Sequence, residues 1–368
     1  MFRPKILGTA LISLFSLFLL NSCVGCSKTA NLESTEEAKP KPGEDDSSEN
    51  LAKFEPQDGK CYIFIGQDMG AIGGLEDYNQ GYCDTFETPA GITVYLGLEP
   101  DSQNKGLFSK ANWGSGDCYA DYQANASRFE KCMIAVGLSM VKQEENILSG
   151  QCDSTLDTYA DWFKSLAPRP IFLRVGYEFD GYDWNFYQKD SYKACFRYVK
   201  DYLDAKGVDN VAYVWQSVGT DASLEELAEW YPGEKYVDWC GYSHFGRPDT
   251  RMIEFAKARK KPVFIAEATP IFQTGKNSFD EGKTTIPAQA EKMWREWFTP
   301  LFSRIEANPS IKAISYINVD WYTQKMWITN PTFQKVDSRI QESSYLSQKW
   351  VEKMSESRYV NLKEYCDM

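Results

Sequence analysis

The hydrophobic pattern of the chain repeats one unit eight times. Each unit begins with a short run of β-branched and aromatic residues, continues through turn residues, and ends in a longer stretch of helical periodicity. The short runs are apolar on both faces, which is typical of parallel strands covered by helices. The predicted strands are Cys61–Gln67, Ile92–Leu98, Met133–Leu138, Ile171–Gly176, Val211–Gln216, Val237–Tyr242, Val263–Ala266 and Ala313–Asn318.

The stretches between these strands are amphipathic. The clearest predicted helices are Ser154–Leu166, Ser191–Lys206, Met252–Arg259 and Ala288–Ile305. Eight strand–helix units close most naturally as a (β/α)8 barrel. An open doubly wound sheet is the alternative, but it requires a glycine-rich phosphate turn after the first strand, and the glycines of residues 70–74 lack the GxGxxG spacing. The sequence therefore predicts an α/β protein of the (β/α)8 TIM barrel type, with a single catalytic domain over residues 60–368.

The first 59 residues have a different composition from the rest. Residues 1–22 are predicted to be a lipoprotein signal peptide, because Arg3 and Lys5 precede a mostly apolar run and the segment Leu20-Asn21-Ser22-Cys23 resembles a bacterial lipoprotein cleavage site. Cys23 would then be lipidated, and residues 23–59 would form a flexible polar linker. An ordinary cleaved signal peptide is the alternative. We expect a lipid-anchored protein of the bacterial cell envelope, in the outer membrane, facing the periplasm or the exterior.

Charge and composition narrow the range of partners. The formal net charge of −12 argues against nucleic acid, and a single histidine argues against a zinc site. Ten cysteines in an exported protein predict disulfide bonds, although the pairing stays open. The cysteines in predicted loops, which are the better candidates for bridges, are Cys83, Cys118 and Cys152, whereas those expected to be buried thiols are Cys132, Cys195 and Cys240.

Carboxylates and aromatic residues follow the predicted strands, where a barrel gathers side chains into one mouth. Glu178 follows strand four and Glu267 ends strand seven, and a pair of carboxylates is the minimum for breaking a glycosidic bond. Aromatic rings stack on sugars, and polar groups bind their hydroxyls. The predicted substrate-binding residues are Tyr177, Asp180, Trp184, Trp215, Gln216, Tyr242, His244 and Trp321. A Ser-His-Asp triad or a metallohydrolase fits less well, and a helix-capping or ion-pairing role is the structural alternative for each glutamate.

The segment from Arg169 to Trp321 resembles glycoside hydrolase family 26, the β-mannanase family of the retaining barrel clan A. The resemblance is carried by the run from Arg174 through Tyr177-Glu178-Phe179-Asp180-Gly181 to Trp184, by Tyr231-Pro232-Gly233 before strand six, and by Lys261-Pro262-Val263 leading to Glu267. The resemblance implies that Glu178 is the general acid/base and Glu267 the nucleophile. It also implies that Trp321 forms the floor of the subsite where the bond breaks and that Tyr242 hydrogen-bonds the nucleophile.

Double displacement is the mechanism that these roles imply, with retained configuration and with no cofactor or metal. The predicted substrate is a β-linked polysaccharide or oligosaccharide, either β-mannan or a related β-glycan. Tyr177 stands where the family usually has histidine, and His244 is not typical of a mannanase, so an algal galactan or β-1,3-xylan is an open alternative. Arg247 and Lys325 are the candidate cations for a sulfated polymer. A non-catalytic surface glycan-binding lipoprotein is the alternative of another class, and the oligomeric state stays open.

Overall fold

The computed structural model describes residues 51–368 except 102, 247–248, 272–281, 331–332 and 334. The predicted signal peptide, Cys23, most of the predicted linker and Arg247 lie outside the described residues. The described chain forms one compact unit.

Eight parallel strands close into a barrel, and each one overlaps a strand predicted from the sequence. Neighbours along the chain are neighbours in the sheet, and the last strand pairs with the first in the register Tyr62 to Ala313. The (β/α)8 prediction is therefore confirmed. The strands are β1 (Cys61–Gly66), β2 (Gly91–Gly97), β3 (Met133–Ser139), β4 (Ile171–Val175), β5 (Val211–Ser217), β6 (Trp239–His244), β7 (Val263–Ala268) and β8 (Ile311–Ile317).

Helices cover the outside of the barrel and connect its strands. They are α1 (Met69–Ile72), α2 (Ala120–Asn125), α3 (Glu144–Leu148), α4 (Asp153–Ser165), α5 (Lys189–Ala205), α6 (Leu224–Trp230), α7 (Thr250–Ala258), α8 (Pro287–Met293), α9 (Thr299–Ala307), α10 (Ser344–Met354) and α11 (Leu362–Cys366). None of these described helices is long and apolar enough to span a bilayer. Short additional pairs of strands join residues 111–112 to 117–118 and 282–283 to 336–337.

The helix predicted over Ala288–Ile305 is interrupted by a wider π turn at Trp294–Phe298, between α8 and α9. Pro300 lies just after this turn and lacks the backbone N–H that a continuous α-helix would need at its position. The hydroxyl of Thr299 instead donates to the carbonyl of Trp294. The break is therefore a local consequence of the proline.

The interior of the barrel changes from aromatic to polar along the strand direction. Phe64, Phe172 and Phe264 pack together with Trp239, with ring centroids 5.0 to 5.5 Å apart for neighbouring pairs. Inward-facing residues closer to the strands' carboxyl ends are polar, and these side chains are Thr93, Arg174, Gln216, Ser243, Glu267 and Ser315. Side chains of a strand alternate between its two faces, so most of these groups come two or four residues after an interior residue of the same strand. Glu267 is the exception, because an extra residue in β7 between Ile265 and Glu267 shifts the register and turns Glu267 inward. The alternation places a buried polar layer directly beneath the mouth.

The segment just before β1 closes the opposite end of the barrel. The indole of Trp239, the first residue of β6, donates to the carbonyl of Lys53 at 2.8 Å. Lys312, near the start of β8, is buried and forms ion pairs with Glu55 at 3.6 Å and Asp58 at 2.6 Å. The described chain therefore begins at the end of the barrel that faces away from the mouth.

The disulfide prediction is wrong for the described residues. All eight described cysteines are free, and only Cys366 among them is exposed. The loops that carry Cys118 and Cys152 fold into the barrel wall, where the two thiols donate to the carbonyls of Tyr95 and Leu98 at 3.3 and 3.9 Å. Cys83 is likewise buried. The expectation of buried thiols at Cys132, Cys195 and Cys240 is confirmed.

Candidate active site

Glu178 lies three residues beyond β4 on a turn that other residues hold in place. Its backbone is in the left-handed region, with φ +56°, a conformation that costs a non-glycine residue about 1 kcal/mol. The buried amide of Asn185 donates to the carbonyls of Glu178 at 2.7 Å and Tyr177 at 3.1 Å. The backbone N–H of Phe179 donates to the carbonyl of Gln216 at 3.1 Å. These bonds stabilise the turn and direct the Glu178 carboxylate toward the barrel interior.

Glu267 lies within β7 and forms an ion pair with a fully buried arginine. Arg174 Nη1 donates to Glu267 Oε1 at 2.6 Å. The guanidinium of Arg174 lies against the rings of Tyr95 and Tyr177, at 5.0 and 5.3 Å from their centroids. Within the described part of the chain no hydrogen bond is made to Glu267 Oε2. Arg174 therefore holds the carboxylate from below and leaves one oxygen for a substrate above.

A glycine makes room for this arginine. Gly137 on β3 pairs with Arg174 on β4. A Cβ atom at Gly137 would lie 2.8 Å from Arg174 Nη2 and 2.6 Å from the ring of Tyr95. Because real Cβ atoms do not make contacts this short, any larger residue at position 137 would push the arginine away from Glu267.

One continuous chain of buried hydrogen bonds joins the two glutamates. Besides Glu267, Arg174 Nη1 also donates to Gln216 Oε1 at 3.1 Å. Gln216 Nε2 donates to Ser243 Oγ at 3.0 Å, and Ser243 Oγ donates to Glu178 Oε1 at 2.7 Å. The hydrogen-bond chain begins at Glu267 on β7, passes through side chains of β4, β5 and β6, and ends at Glu178 beyond β4. The arrangement fixes both carboxylates relative to each other before any substrate binds.

The two glutamates have different environments. Burial, together with the charge of Glu267, raises the pKa of Glu178 from 4.5 to about 8, and the hydrogen bond from Ser243 acts in the opposite direction. Glu178 is therefore protonated at neutral pH and able to give a proton to a leaving group. Glu267 is held against the cationic Arg174. Two carboxyl groups in such different surroundings are typical of an acid and a nucleophile that act on the same bond.

Removing the Ser243 hydroxyl should move the pH dependence of activity. Ser243 donates to the ionised form of Glu178 and so lowers its pKa. In Ser243→Ala the pKa of Glu178 should rise further, and the alkaline limb of kcat/KM should move up by about one pH unit. Ser315→Ala is the matched control, because Ser315 is equally buried in the barrel but bonds to Thr93. An alkaline limb that stays in place or moves down would show that Ser243 does not act on the acid.

The structure places some of the predicted substrate-binding residues beside the glutamates and others elsewhere. Tyr177 is partly buried next to Arg174, and Gln216 belongs to the hydrogen-bond chain. Asp180 is buried and holds the end of β5, because it accepts hydrogen bonds from Ser217 Oγ and the Val218 N–H, both at 2.7 Å. Trp184 is 38% exposed on the loop after β4.

Trp215 and Tyr242 lie in the layer between the barrel and its helices. Trp215 stacks on Phe179 with ring centroids 4.5 Å apart and is fully buried. Tyr242 is also fully buried and makes no hydrogen bond to Glu267 in the described structure. Both residues precede an inward-facing polar residue by one position, so strand alternation turns them outward. The residue of β6 that faces the site is Ser243, and it contacts the acid and not the nucleophile.

His244 and Trp321 are near the mouth but are engaged by other residues. His244 Nδ1 is 2.7 Å from Asp249 Oδ2, and Asp249 is also paired with Arg304. Trp321 is buried, and its indole donates to Thr269 Oγ1 at 3.1 Å. The ring of Phe333 covers it at 4.6 Å between centroids. The indole expected to form the floor of a subsite is therefore covered in this structure.

Three residues with clear positions in the site had no predicted role. They are Arg174, Asn185 and Ser243. Arg174 had a signal in the sequence, because a charged residue inside an otherwise apolar strand must be paired when it is buried. Asn185 and Ser243 had none, since Asn185 acts through contacts inside its own loop and Ser243 through a contact with a residue beyond another strand. Among the described residues no cluster of three or more His, Cys, Asp or Glu side chains is placed to hold a metal ion.

A (β/α)8 barrel with a buried acid beyond β4 and an arginine-held carboxylate in β7 is typical of a glycoside hydrolase. The model of glycosyl hydrolase family 26 matches residues 119–330, and the chain belongs to this family. The chain is 30% identical to a β-1,3-xylanase of an Alcaligenes species over 325 residues, which is 84% of this chain and 66% of that relative. It is also 30% identical to a β-1,3-xylanase of a Vibrio species over 324 residues, 84% of this chain and 67% of the relative. The chain thus spans about two thirds of the length of these two proteins.

Among solved structures, the fold is similar to that of a family 26 β-mannanase from Bacteroides ovatus. The TM-score is 0.55 and the identity 16%, covering 83% of this chain and 91% of the mannanase. At this identity the likeness concerns the fold alone. It agrees with the closed parallel barrel described above.

Proposed function

We propose that this protein is a retaining endo-β-glycanase that hydrolyses β-1,3-xylan. The observation that carries the proposal is the pair of buried glutamates at the ends of one hydrogen-bond chain, with the pKa of Glu178 raised to about 8 beside an arginine-held Glu267. A protonated carboxyl next to a carboxylate is what a retaining glycosidase requires at neutral pH.

In the first step Glu267 Oε2 attacks the anomeric carbon, and the bond from this carbon to the glycosidic oxygen breaks. Glu178 gives its proton to the departing oxygen, so the aglycone leaves as a neutral alcohol. In the second step Glu178 takes a proton from water, the water oxygen bonds to the anomeric carbon, and Glu267 is released. Two displacements at one carbon give a product with retained configuration. Arg174 holds Glu267 in position through both steps.

Two features support xylan over mannan as the substrate. The two relatives with 30% identity are both named β-1,3-xylanases. Tyr177, which precedes the acid, stands where the mannanase pattern has histidine, and its ring packs against Arg174 and lies 5.7 Å from the ring of Tyr95. A galactan or a mannan remains an outcome of the assay below.

A reducing-sugar assay on a panel of polysaccharides tests the proposal. β-1,3-Xylan should be cleaved at least about tenfold faster than β-1,4-xylan, mannan, β-glucan and algal galactan. Cleavage of another member of the panel would keep the mechanism and change the substrate. Binding without cleavage of any polysaccharide would favour the glycan-binding lipoprotein, for which a permanent Glu267–Arg174 ion pair would be a structural contact.

We also propose that the protein is anchored in the bacterial cell envelope by a lipid on Cys23. The support is the sequence from Leu20 to Cys23 and the polar stretch that follows. Cys23→Ala should abolish labelling by a radioactive fatty acid and leave an uncleaved or mislocalised protein. Cys26→Ala is the matched control, because this cysteine lies three residues further on. Unchanged labelling in Cys23→Ala would contradict the proposal.

A further inference from the structure

Apart from the site of the two glutamates, a groove lies on the mouth face of the barrel, on the side away from Glu178. It has a volume of about 810 Å³, which is within the range of about 300 to 1,000 Å³ typical of small-molecule sites. Its walls come from a hairpin in the loop after β2 and from the loop after β8. The residues that matter for the argument are Asn112, Trp113, Gly114, Thr323, Gln324 and Met326.

Hydrogen bonds fix this groove to the mouth of the barrel. Gln67, the first residue after β1, donates from its side chain to the carbonyl of Ser115 at 3.1 Å. The N–H of Met326, beyond β8, donates to the carbonyl of Gly114 at 2.8 Å. Since both anchors follow the carboxyl ends of barrel strands, the hairpin lies over the same face as the two glutamates.

The groove contains a tryptophan ring that is prepared for stacking. Trp113 is 45% exposed, and the outer edge of its ring contacts Gly106. A Cβ atom at Gly106 would lie 2.5 Å from Trp113 Cη2 and 3.3 and 3.4 Å from the two ring atoms beside it, so the glycine lies against the edge of the ring. A tryptophan ring that is held at its edge and is about half exposed is suited to stacking on the apolar face of a sugar.

Trp184 lies on the opposite side of the mouth, and its ring also packs against a glycine. It is 38% exposed, and a Cβ atom at Gly181 would lie 2.5 Å from its ring. Trp184 follows β4, while the groove is attached to β8 and β1, and β8 is four strands from β4 in the ring of eight. The two supported indoles therefore flank the glutamates from opposite sides.

We infer that the Trp113 groove is a distal glycan-binding subsite and that a neutral polysaccharide crosses the mouth from Trp184 to Trp113. The inference rests on the proposed function and deepens it, because it names the two surfaces that would hold the polysaccharide on either side of the reacting carbons. Beside the ring, Thr323 and Gln324 offer a hydroxyl and an amide for sugar hydroxyls. Gln324 is oriented by its bond to Asp68 Oδ2 at 3.4 Å.

Affinity electrophoresis tests this subsite directly. The proteins are the full chain with Glu267→Gln, which cannot turn over the polymer, and the same chain with Trp113→Ala added. In gels that contain β-1,3-xylan, the double variant should need a roughly tenfold higher polysaccharide concentration for the same retardation. Trp113→Phe should lie between the two. Tyr122→Ala on α2, where a tyrosine is 40% exposed, is the matched control and should migrate like Glu267→Gln alone.

The outcomes separate the subsite from the proposed function. Equal retardation with and without Trp113 overturns the subsite, even if the wild type cleaves xylan. If the wild type binds a glycan of the panel without cleaving it, the proposed function fails, and the comparison of variants on that glycan still decides the subsite. If no glycan of the panel retards the wild type, both fail. Thermal melting of each variant shows that its migration reports binding and not unfolding.

Discussion

Glu267→Ala is expected to abolish turnover of every glycan that the wild type cleaves, with a loss of at least about 10⁴-fold in kcat. The hydrogen-bond chain at the mouth contains one other carboxylate, that of Glu178, and this group is needed as the acid. The variant should lose activity on activated aryl glycosides as well as on polysaccharides, since attack at the anomeric carbon is required for both. Initial-rate assays on the two classes of substrate measure this.

A second variant separates lost chemistry from lost stability. Glu267→Ala leaves the fully buried Arg174 without its carboxylate, and breaking a buried pair costs about 3 to 5 kcal/mol of folding stability. In Glu267→Gln the amide oxygen still accepts a hydrogen bond from Arg174, so the fold should survive while the nucleophile is gone. A folded Glu267→Gln protein that keeps more than a tenth of wild-type activity would exclude Glu267 as the nucleophile.

Glu178→Ala should lose activity in a way that depends on the leaving group. The leaving group of a polysaccharide is an alkoxide unless it is protonated. Polysaccharides should therefore be cleaved about 10²- to 10⁴-fold more slowly. Aryl glycosides with good leaving groups should form the intermediate at a nearly normal rate and then accumulate it. Azide should rescue the second step and give a β-glycosyl azide, because a small anion replaces the water that Glu178 activates. Mass spectrometry identifies this product.

The control for this result is Glu267→Gln under the same conditions, which should give no β-glycosyl azide because it forms no covalent intermediate. An equal loss of Glu178→Ala on good and poor leaving groups, with no azide product, would mean that Glu178 is not the acid. The residue would then have only the structural role that its contact with Ser243 provides.

The barrel and the two glutamates could be predicted because their signals are local. Each strand is a short apolar run of regular spacing, and Glu178 and Glu267 stand at or just beyond the ends of two such runs. The family resemblance reinforced their roles. Neither inference needed to know which face of a strand points inward.

Trp215 and Tyr242 were placed wrongly because the sequence does not show which face of a strand points inward. On β5 the residues Tyr213, Val214 and Trp215 are all buried, so hydrophobicity does not distinguish the barrel interior from the helix layer. A shift of one residue therefore separates the outward Tyr242 from Ser243, which contacts the acid. In an antiparallel sheet with one solvent-exposed face, hydrophobicity would distinguish the two faces of each strand.

Long-range contacts account for the remaining differences. Trp321 is covered by Phe333, which follows it by a loop whose conformation no local pattern specifies. Cys118 and Cys152 lie in predicted loops, but those loops fold against the barrel wall and bury the thiols. The hydrogen-bond chain from Glu267 to Glu178 joins four strands and is visible only once the barrel closes.

The central claim is that Glu178 and Glu267 act together by double displacement, and the configuration of the first-formed product tests it most directly. Proton NMR of the wild-type reaction on a β-linked oligosaccharide separates the anomers of the new reducing end before mutarotation mixes them. The account predicts that the β anomer forms first and the α anomer appears later. An α anomer formed first would contradict the assignment of Glu267 as nucleophile and the retaining mechanism with it.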